Sequence, residues 1–380
     1  GMRSELRRLA AGGQECFLIP HHIGYLRGYR GIKWEEFTPE FTPVVEIVSM
    51  HGLAESSDAA YPYLHATGPR DGRSTMQSGL QAGKTFGVIG STDHHSAHPG
   101  SYGRGRMAVW ASELTRDGIW EALRSRRTYA LTGDRIQLAF SVNGRPMGSV
   151  LPWTPERAIE VSVVGGNTID YVEVMHNNQP IDRWSAHERE ADRDPQPYKV
   201  VLEVGWGRRN EDFDWRLDLR VTDGRLLSVE PRFRGSDLIT PYQTEDPGDR
   251  LRFSKCEEWG DGQVHIETRT WGNPNTVTPA TQGVCLEVVG EDNTTISGEI
   301  NGRPIKVRLS DLKQGSQVGY IEGYRSQAYT FQRAVAQTEY SCSTSVVHQN
   351  TRQGRDWYYV RVCQKNGQWA WSSPSWIERP

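Results

Sequence analysis

The sequence predicts two joined architectures: an α/β region over residues 1–134 and an all-β region, read as a large antiparallel β-sandwich, over residues 135–380. Two observations carry this division. In the first region, short apolar runs alternate with helical stretches, which is the pattern of βα units. In the second, Asn-Gly and Asp-Gly pairs sit between runs that alternate apolar and polar residues, the strongest short-range hairpin signal. A chain of 380 residues is long enough for two or three domains and a sizeable core.

Taken in order, the first region opens on a helix expected over residues 4–11 (SELRRLAA), followed by the apolar run Cys16–Pro20. A second run covers Val44–Met50, and a helix around Ser74–Ala82 precedes a third run, Thr85–Gly90. After a loop rich in Gly and His comes a fourth run, Arg106–Ala111, and then a helix from about Arg116 to Arg127 with Thr115 as its N-cap. The runs are nearly continuous rather than alternating, as in strands buried on both faces. In the second region the turn pairs are Asn143-Gly144, Asp223-Gly224, Asn301-Gly302 and Asn366-Gly367. Alternating runs such as Arg157–Val164, Tyr171–Met175, Asp214–Val221 and Tyr358–Val362 flank them. This region is large for one sandwich. It therefore carries insertions, with Arg183–Tyr198 and Thr240–Asp261 as the polar candidates, or a further boundary near residue 240.

Composition removes several classes. Lys and Arg number 44 against 47 Asp and Glu, so no basic excess exists to drive nucleic-acid binding. No stretch approaches ~18 consecutive apolar residues, which argues against a membrane-spanning helix. The five cysteines include no CxxC pair, which argues against a thiolate zinc site. A disulfide among the four C-terminal cysteines stays open, and with it the compartment. The first residues show no apolar signal-peptide core.

The histidines are the informative feature. The run ending at Pro20 is followed by His21 and His22, and the run Val44–Met50, which contains Glu46, is followed by His51. The run ending at Gly90 is followed by Asp93, His94 and His95, with His98 close behind. Six of the 11 histidines thus cluster behind three apolar runs. In barrel-like α/β folds, the C-terminal ends of strands converge on the face where catalytic groups sit. Imidazole and carboxylate without thiolate suit Zn, Mn or Fe better than Ca or Mg. A single loop histidine is ordinarily a surface or hydrogen-bonding residue, and the isolated His65, His176, His187, His265 and His348 are read as structural or exposed. His21 cannot be separated from His22, nor His94 from His95, on composition. Arg104 and Arg106, in the stretch SYGRGR, are placed to meet a small anionic substrate, against a plain reading as solvated loop residues. Trp34 and Tyr25 lie near the first His pair, with core packing as their expected role. Most of the 13 Trp lie at or after Trp153, where core packing fits better than a carbohydrate platform.

The segments PHHIGY (20–25), VEIVSMHG (45–52), GVIGSTDHH (87–95) and DGIWEALRSRRTYALTGDRI (117–136) resemble the later part of a PHP domain, of the polymerase and histidinol phosphatase superfamily. The terminal stretch DWYYVRVCQKNGQWAWSSPSWI (356–377) is similar to the last strands of an uncharacterised PHP branch in which a β-sandwich follows the PHP domain. The resemblance implies a βα barrel with a divalent-metal site and hydrolysis of a phosphoester. It implies Asp93 and His95 as the superfamily's closing Asp-x-His, and His21 or His22 as the mid-domain ligand. Glu46 and His51 fall where the branch has its Glu and following His. Asp93 and His95 are thereby the expected catalytic pair, holding one metal together with His21 or His22.

The chain departs from that pattern at the front. A PHP domain begins with a His-x-His strand, and here no His precedes residue 21. The resemblance thus covers only the back half of a barrel, a truncated or partial one, with a metal site that is incomplete or only partly occupied. About four strands cannot close a barrel. Their open edge is expected to be covered by another copy in a homo-oligomer, by the N-terminal helix or by the sandwich. Two further readings share these features. One is a catalytically inactive PHP half whose sandwich serves binding or assembly, and the other, weaker, is carbohydrate binding.

Overall fold

The computed structural model describes residues 2–61, 69–94, 98–103, 105–185, 195–207, 211–234, 254–271, 281–323, 326–352 and 354–378. It is mostly β-sheet, with several antiparallel sheets and few helices. The early helices fall where expected: α1 (Met2–Ala11), α2 (Met76–Gln81) and α3 (Arg116–Arg124). The Thr115 hydroxyl accepts the Gly118 N–H at 3.1 Å, so the N-cap of α3 forms as its sequence dictates. All five cysteines are free thiols.

The α/β part is smaller than the sequence predicts. Strands β1 (Val44–Ser49), β2 (Gly52–Leu53) and β3 (Gly87–Gly90) form a three-stranded sheet in which β1 and β3 run parallel. Both are fully buried, in keeping with their largely apolar sequences. The run Cys16–Pro20 is not a strand. It is an extended segment held by two bonds, Leu18 N–H to Phe41 O at 2.6 Å and Glu46 N–H to Pro20 O at 3.1 Å. The fourth run is also a correction to the barrel expectation. Strand β4 (Arg106–Val109) pairs antiparallel with β5 (Thr128–Leu131), and both belong to a different, eight-stranded sheet. A short apolar run reads the same whether its partner strand is parallel or antiparallel, and β4 proves only half-buried.

That eight-stranded sheet runs in the order Gln179–Ser185, Ile169–His176, Asp356–Gln364, Trp369–Ser372, β5, β4, with Ser375–Glu378 and Val150–Pro152 attached. It buries both faces. One face packs on a four-stranded sheet built from Gln137–Val142, Arg145–Pro146, Glu156–Val164 and Ser341–Gln349, sharing a core that includes Leu138, Phe140, Ile159, Val360 and Ile377. The other face packs on the α/β part, where Trp371, Trp376 and Tyr359 meet Val45, Ile47, Val88 and Phe86. Trp371 and Trp376 have no exposed surface, in keeping with their expected role in the core.

The second region holds one large insertion. Between Ser185 and Ser341 the chain forms a nine-stranded antiparallel sheet with its own core. Its two long strands, Asp212–Arg232 and Gln282–Ile300, pair with each other over most of their length. Gln282–Ile300 also pairs with Gln196–Gly205, so a single sheet contains strands from both sides of residue 240. Residue 240 itself lies outside the described residues. Three of the four turn pairs join paired strands: Asn143-Gly144, Asn301-Gly302 and Asn366-Gly367. Asp223-Gly224 does not. The positive φ of Asp223, 54°, lies within a continuous strand and marks a register shift between Thr222 and Gly224.

The open edge of β3 is covered by the eight-stranded sheet. Val88 N–H donates to Ser373 Oγ at 2.9 Å, and Thr128 Oγ1 donates to Val88 O at 3.0 Å. The two hydroxyls lie 3.0 Å apart, and both residues are fully buried. Glu55, 1% exposed, ties the same two layers together. Its carboxylate accepts from Tyr359 Oη at 2.7 Å, Trp371 Nε1 at 3.1 Å and Arg361 Nη1 at 3.4 Å. Burial pushes this carboxyl above its ordinary pKa, with Arg361 and the two donors opposing the shift.

Removing a partner strands buried donors, so Glu55→Ala is expected to lower the unfolding free energy by about 3 kcal/mol, measured by urea denaturation. Ser373→Ala, which leaves the Val88 N–H without its acceptor, is expected to cost about 2 kcal/mol in the same measurement.

Candidate metal centre

Three chain segments end beside one another because β1 and β3 are parallel neighbours and the Cys16–Pro20 segment bonds to β1. His21 and His22 follow Pro20, Glu46 lies on β1, His51 follows its end, and Asp93 lies just beyond β3. Donor atoms of His21, His22 and Asp93 all fall within 4.8 Å of one another. His22 Nε2 lies 2.9 Å and His51 Nε2 2.5 Å from Asp93 Oδ2, while His21 Nε2 lies 3.4 Å from Asp93 Oδ1. The structure therefore brings His21, His22, His51 and Asp93 to one point. Both members of the first His pair take part.

Glu46 has a different place. Its two oxygens lie 2.7 and 2.8 Å from His21 Nδ1, and Ser91 Oγ donates to one of them. A carboxylate on Nδ1 fixes a proton there and turns Nε2 toward Asp93. Glu46 is thus an orienting group behind His21 rather than a member of the converging donor set. Burial lowers the pKa of His21, but the Glu46 and Asp93 carboxylates outweigh it and hold this imidazole above its ordinary value.

Two of the donors sit on strained backbone. His22 has φ of 56° and Asp93 has φ of 49°, in the left-handed region that non-glycine residues adopt at a cost of about 1 kcal/mol each. The Tyr25 ring, fully buried, stacks on the His22 ring with centroids 5.7 Å apart, which holds the imidazole in place. Trp34 has the core role expected of it, stacked on Phe86 with its indole N–H on Thr75 O.

His94 faces the opposite way in its chemistry. Its Nδ1 accepts the His98 N–H at 3.2 Å, which in the neutral ring leaves the proton on Nε2. His95 and Arg104 lie outside the described residues. Arg106 does not present its guanidinium to an anion, a correction to its expected role. Nε and Nη2 donate to Gly100 O at 3.0 and 2.7 Å, and Nη1 donates to Gly133 O at 2.9 Å. Desolvation lowers its pKa without removing its charge. A cationic groove exists elsewhere: a cavity of about 490 Å³, lined by Pro20, Tyr29, Arg30 and Lys33 among others. Sequence reading missed Ser91 and Arg30. The polar Ser-Thr-Asp run after an apolar strand is the signal that could have found Ser91.

The family described as "Protein of unknown function (DUF3604)" matches residues 101–146, a segment that begins beyond Asp93 and contains none of the converging donors. Uncharacterised proteins of Chlamydia pneumoniae and Chlamydia muridarum are 30% and 28% identical to this chain, over 39% and 40% of its length. A third, from Chlamydia trachomatis, is 29% identical over 39%. In each case the match covers about a quarter of the relative, 27%, 27% and 26% of its length.

Asparagine tolerates the positive φ of Asp93 but brings no negative charge. Wild-type protein is expected to gain thermal stability on adding Zn²⁺, by about 2.7 kcal/mol at a hundredfold excess over Kd. Asp93→Asn is expected to abolish that gain, as read by differential scanning calorimetry.

Proposed function

We propose that this chain is part of a metal-dependent hydrolase of the PHP type that acts on a phosphoester, with His21, His22 and Asp93 as the divalent-metal ligands. The convergence of those three donors within 4.8 Å, at the ends of neighbouring chain segments, is the observation that carries this reading. Two imidazoles and a carboxylate suit Zn, Mn or Fe, and three protein ligands match a catalytic site with open positions rather than a closed structural one. His51, 2.5 Å from Asp93, is a fourth ligand or the group that steadies the carboxylate.

A bound divalent cation supplies Lewis-acid polarisation of the ester and of the attacking water. The protein's own groups do the remaining work. Glu46 holds the proton of His21 on Nδ1 and keeps Nε2 directed inward. Asp93 carries the charge that balances the cation. Arg30, on the groove that Pro20 also lines, offers a guanidinium to an anionic group of the substrate. The curated relatives are about four times longer than the matched segment, so the parent protein supplies further parts of the active site in this reading.

Protein purified without an affinity metal column is expected to carry zinc, manganese or iron by elemental analysis, and Asp93→Asn to lose it. With that metal restored, hydrolysis of 4-nitrophenyl phosphate is expected to fall at least about a hundredfold in Asp93→Asn. Metal content below about 0.2 per chain that is unchanged by the substitution would sink the reading.

A further inference from the structure

The inserted nine-stranded sheet reaches the candidate metal centre through one tyrosine. Tyr102 is 9% exposed, and its backbone is held at both ends: its N–H donates to Phe233 O at 2.9 Å, and its carbonyl accepts from Arg234 Nη1 at 3.3 Å. Its hydroxyl donates to Asp134 Oδ1 at 2.8 Å, and Arg232 Nη1 lies 3.1 Å from the same oxygen. Asp134 is fully buried, and its other oxygen accepts from Gln364 Nε2 at 2.7 Å and Asn366 Nδ2 at 2.8 Å. The guanidinium carbons of Arg232 and Arg234 lie 5.6 and 5.1 Å from the Tyr102 ring centre.

From Tyr102 the contacts run on to the residues either side of Asp93. Gly100 N–H donates to Thr92 Oγ1 at 2.6 Å, and Gly100 O is held by Arg106. Ser101 N–H bonds to His98 O at 3.2 Å, and His98 N–H bonds to His94 Nδ1 at 3.2 Å. Thr92 and His94 flank the strained Asp93. Gly105 closes the same crossing: at φ of 105°, an added Cβ would sit 2.4 Å from Ser91 O.

We propose that the inserted sheet is a positioning element of the metal centre. Arg232, Phe233 and Arg234 fix Tyr102, and Tyr102 in turn pins the segment 98–102 against Thr92 and His94, so that Asp93 keeps the left-handed backbone from which its carboxylate meets His22 and His51. This rests on the metal reading above. Tyr102 and Arg232 are positioning residues and touch no ligand atom of the site. Contacts of this kind behind a metal ligand change affinity about tenfold or more when removed.

Cobalt titration of the full chain tests it, because Co²⁺ reports ligand geometry by its visible absorption. The double variant Asp134→Asn/Arg232→Met removes both buried charges together and leaves neither unpaired. Tyr102→Phe removes one hydroxyl and tests the same tether should the double variant not fold. Both are expected to weaken Co²⁺ binding about tenfold or more and to shift the visible bands, with circular dichroism unchanged. Arg232→Lys, which keeps a cation beside Asp134, is expected to recover part of the affinity. Folded variants with wild-type bands and affinity within about twofold of wild type overturn the proposal alone. Wild-type protein that binds no Co²⁺ overturns the metal reading and the proposal with it.

Discussion

A parallel pair of strands cannot finish its own hydrogen bonding: β2 covers one side of β1, and β3 is left as the outer strand of the small α/β sheet. The outer edge of β3 is satisfied by two buried hydroxyls, Thr128 and Ser373, which belong to the eight-stranded sheet. Everything at the candidate centre follows from that seam. It sets how far β3 runs and where Asp93 emerges. Glu55 reinforces it a layer away, where its buried carboxylate accepts from Tyr359, Trp371 and Arg361. A buried, fully used polar group specifies how two layers meet more sharply than apolar contact does.

The central sheet is therefore shared. One of its faces completes a two-sheet core with Leu138 and Ile159, and the other completes a core with Val45 and Trp376. This explains why Tyr358, Tyr359, Val360 and Val362 are all fully buried, with successive side chains facing two different layers. The geometry of the candidate centre is thus coupled to residues far away in sequence, such as Ser373, which bonds to Val88. Long-range closure of this type is entropically costly to reach during folding.

Much of this was readable in the residues. Strand-end histidines and Asp93 stood out because an apolar run followed at once by an imidazole or carboxylate has one geometric consequence, delivery of that group to a strand terminus. Hairpins at Asn143-Gly144 and Asn301-Gly302 were readable because both residues must adopt positive φ. The same signal misled at Asp223-Gly224, since a bulge asks for the same backbone as a turn and only the partner strand tells them apart. Partnership was the general blind spot. Nothing in Arg106–Ala111 says whether its neighbour is parallel or antiparallel. Nothing in the stretch SYGRGR says that Arg106 will spend its donors on Gly100 and Gly133 or that Tyr102 will meet Arg232. Those facts depend on chain crossings hundreds of residues apart. Glu46 was legible as part of the cluster, but its task behind His21 required the distance.

Strand β3 reads Gly-Val-Ile-Gly, and its two end positions have no room for even a methyl group. At Gly87 a Cβ would stand 2.8 Å from Ser373 Oγ, and at Gly90 it would stand 2.5 Å from the carbonyl oxygen of Arg106. The interior pair can drift among apolar side chains of similar size, whereas Gly87 is held bare by the side chains of Ser373, Arg126 and Thr128 and Gly90 by the main chain of Arg106 and Leu131. The evolutionary freedom of this strand is thus set by what lies across it, and divergent copies of the fold will keep two bare α-carbons where the layers touch.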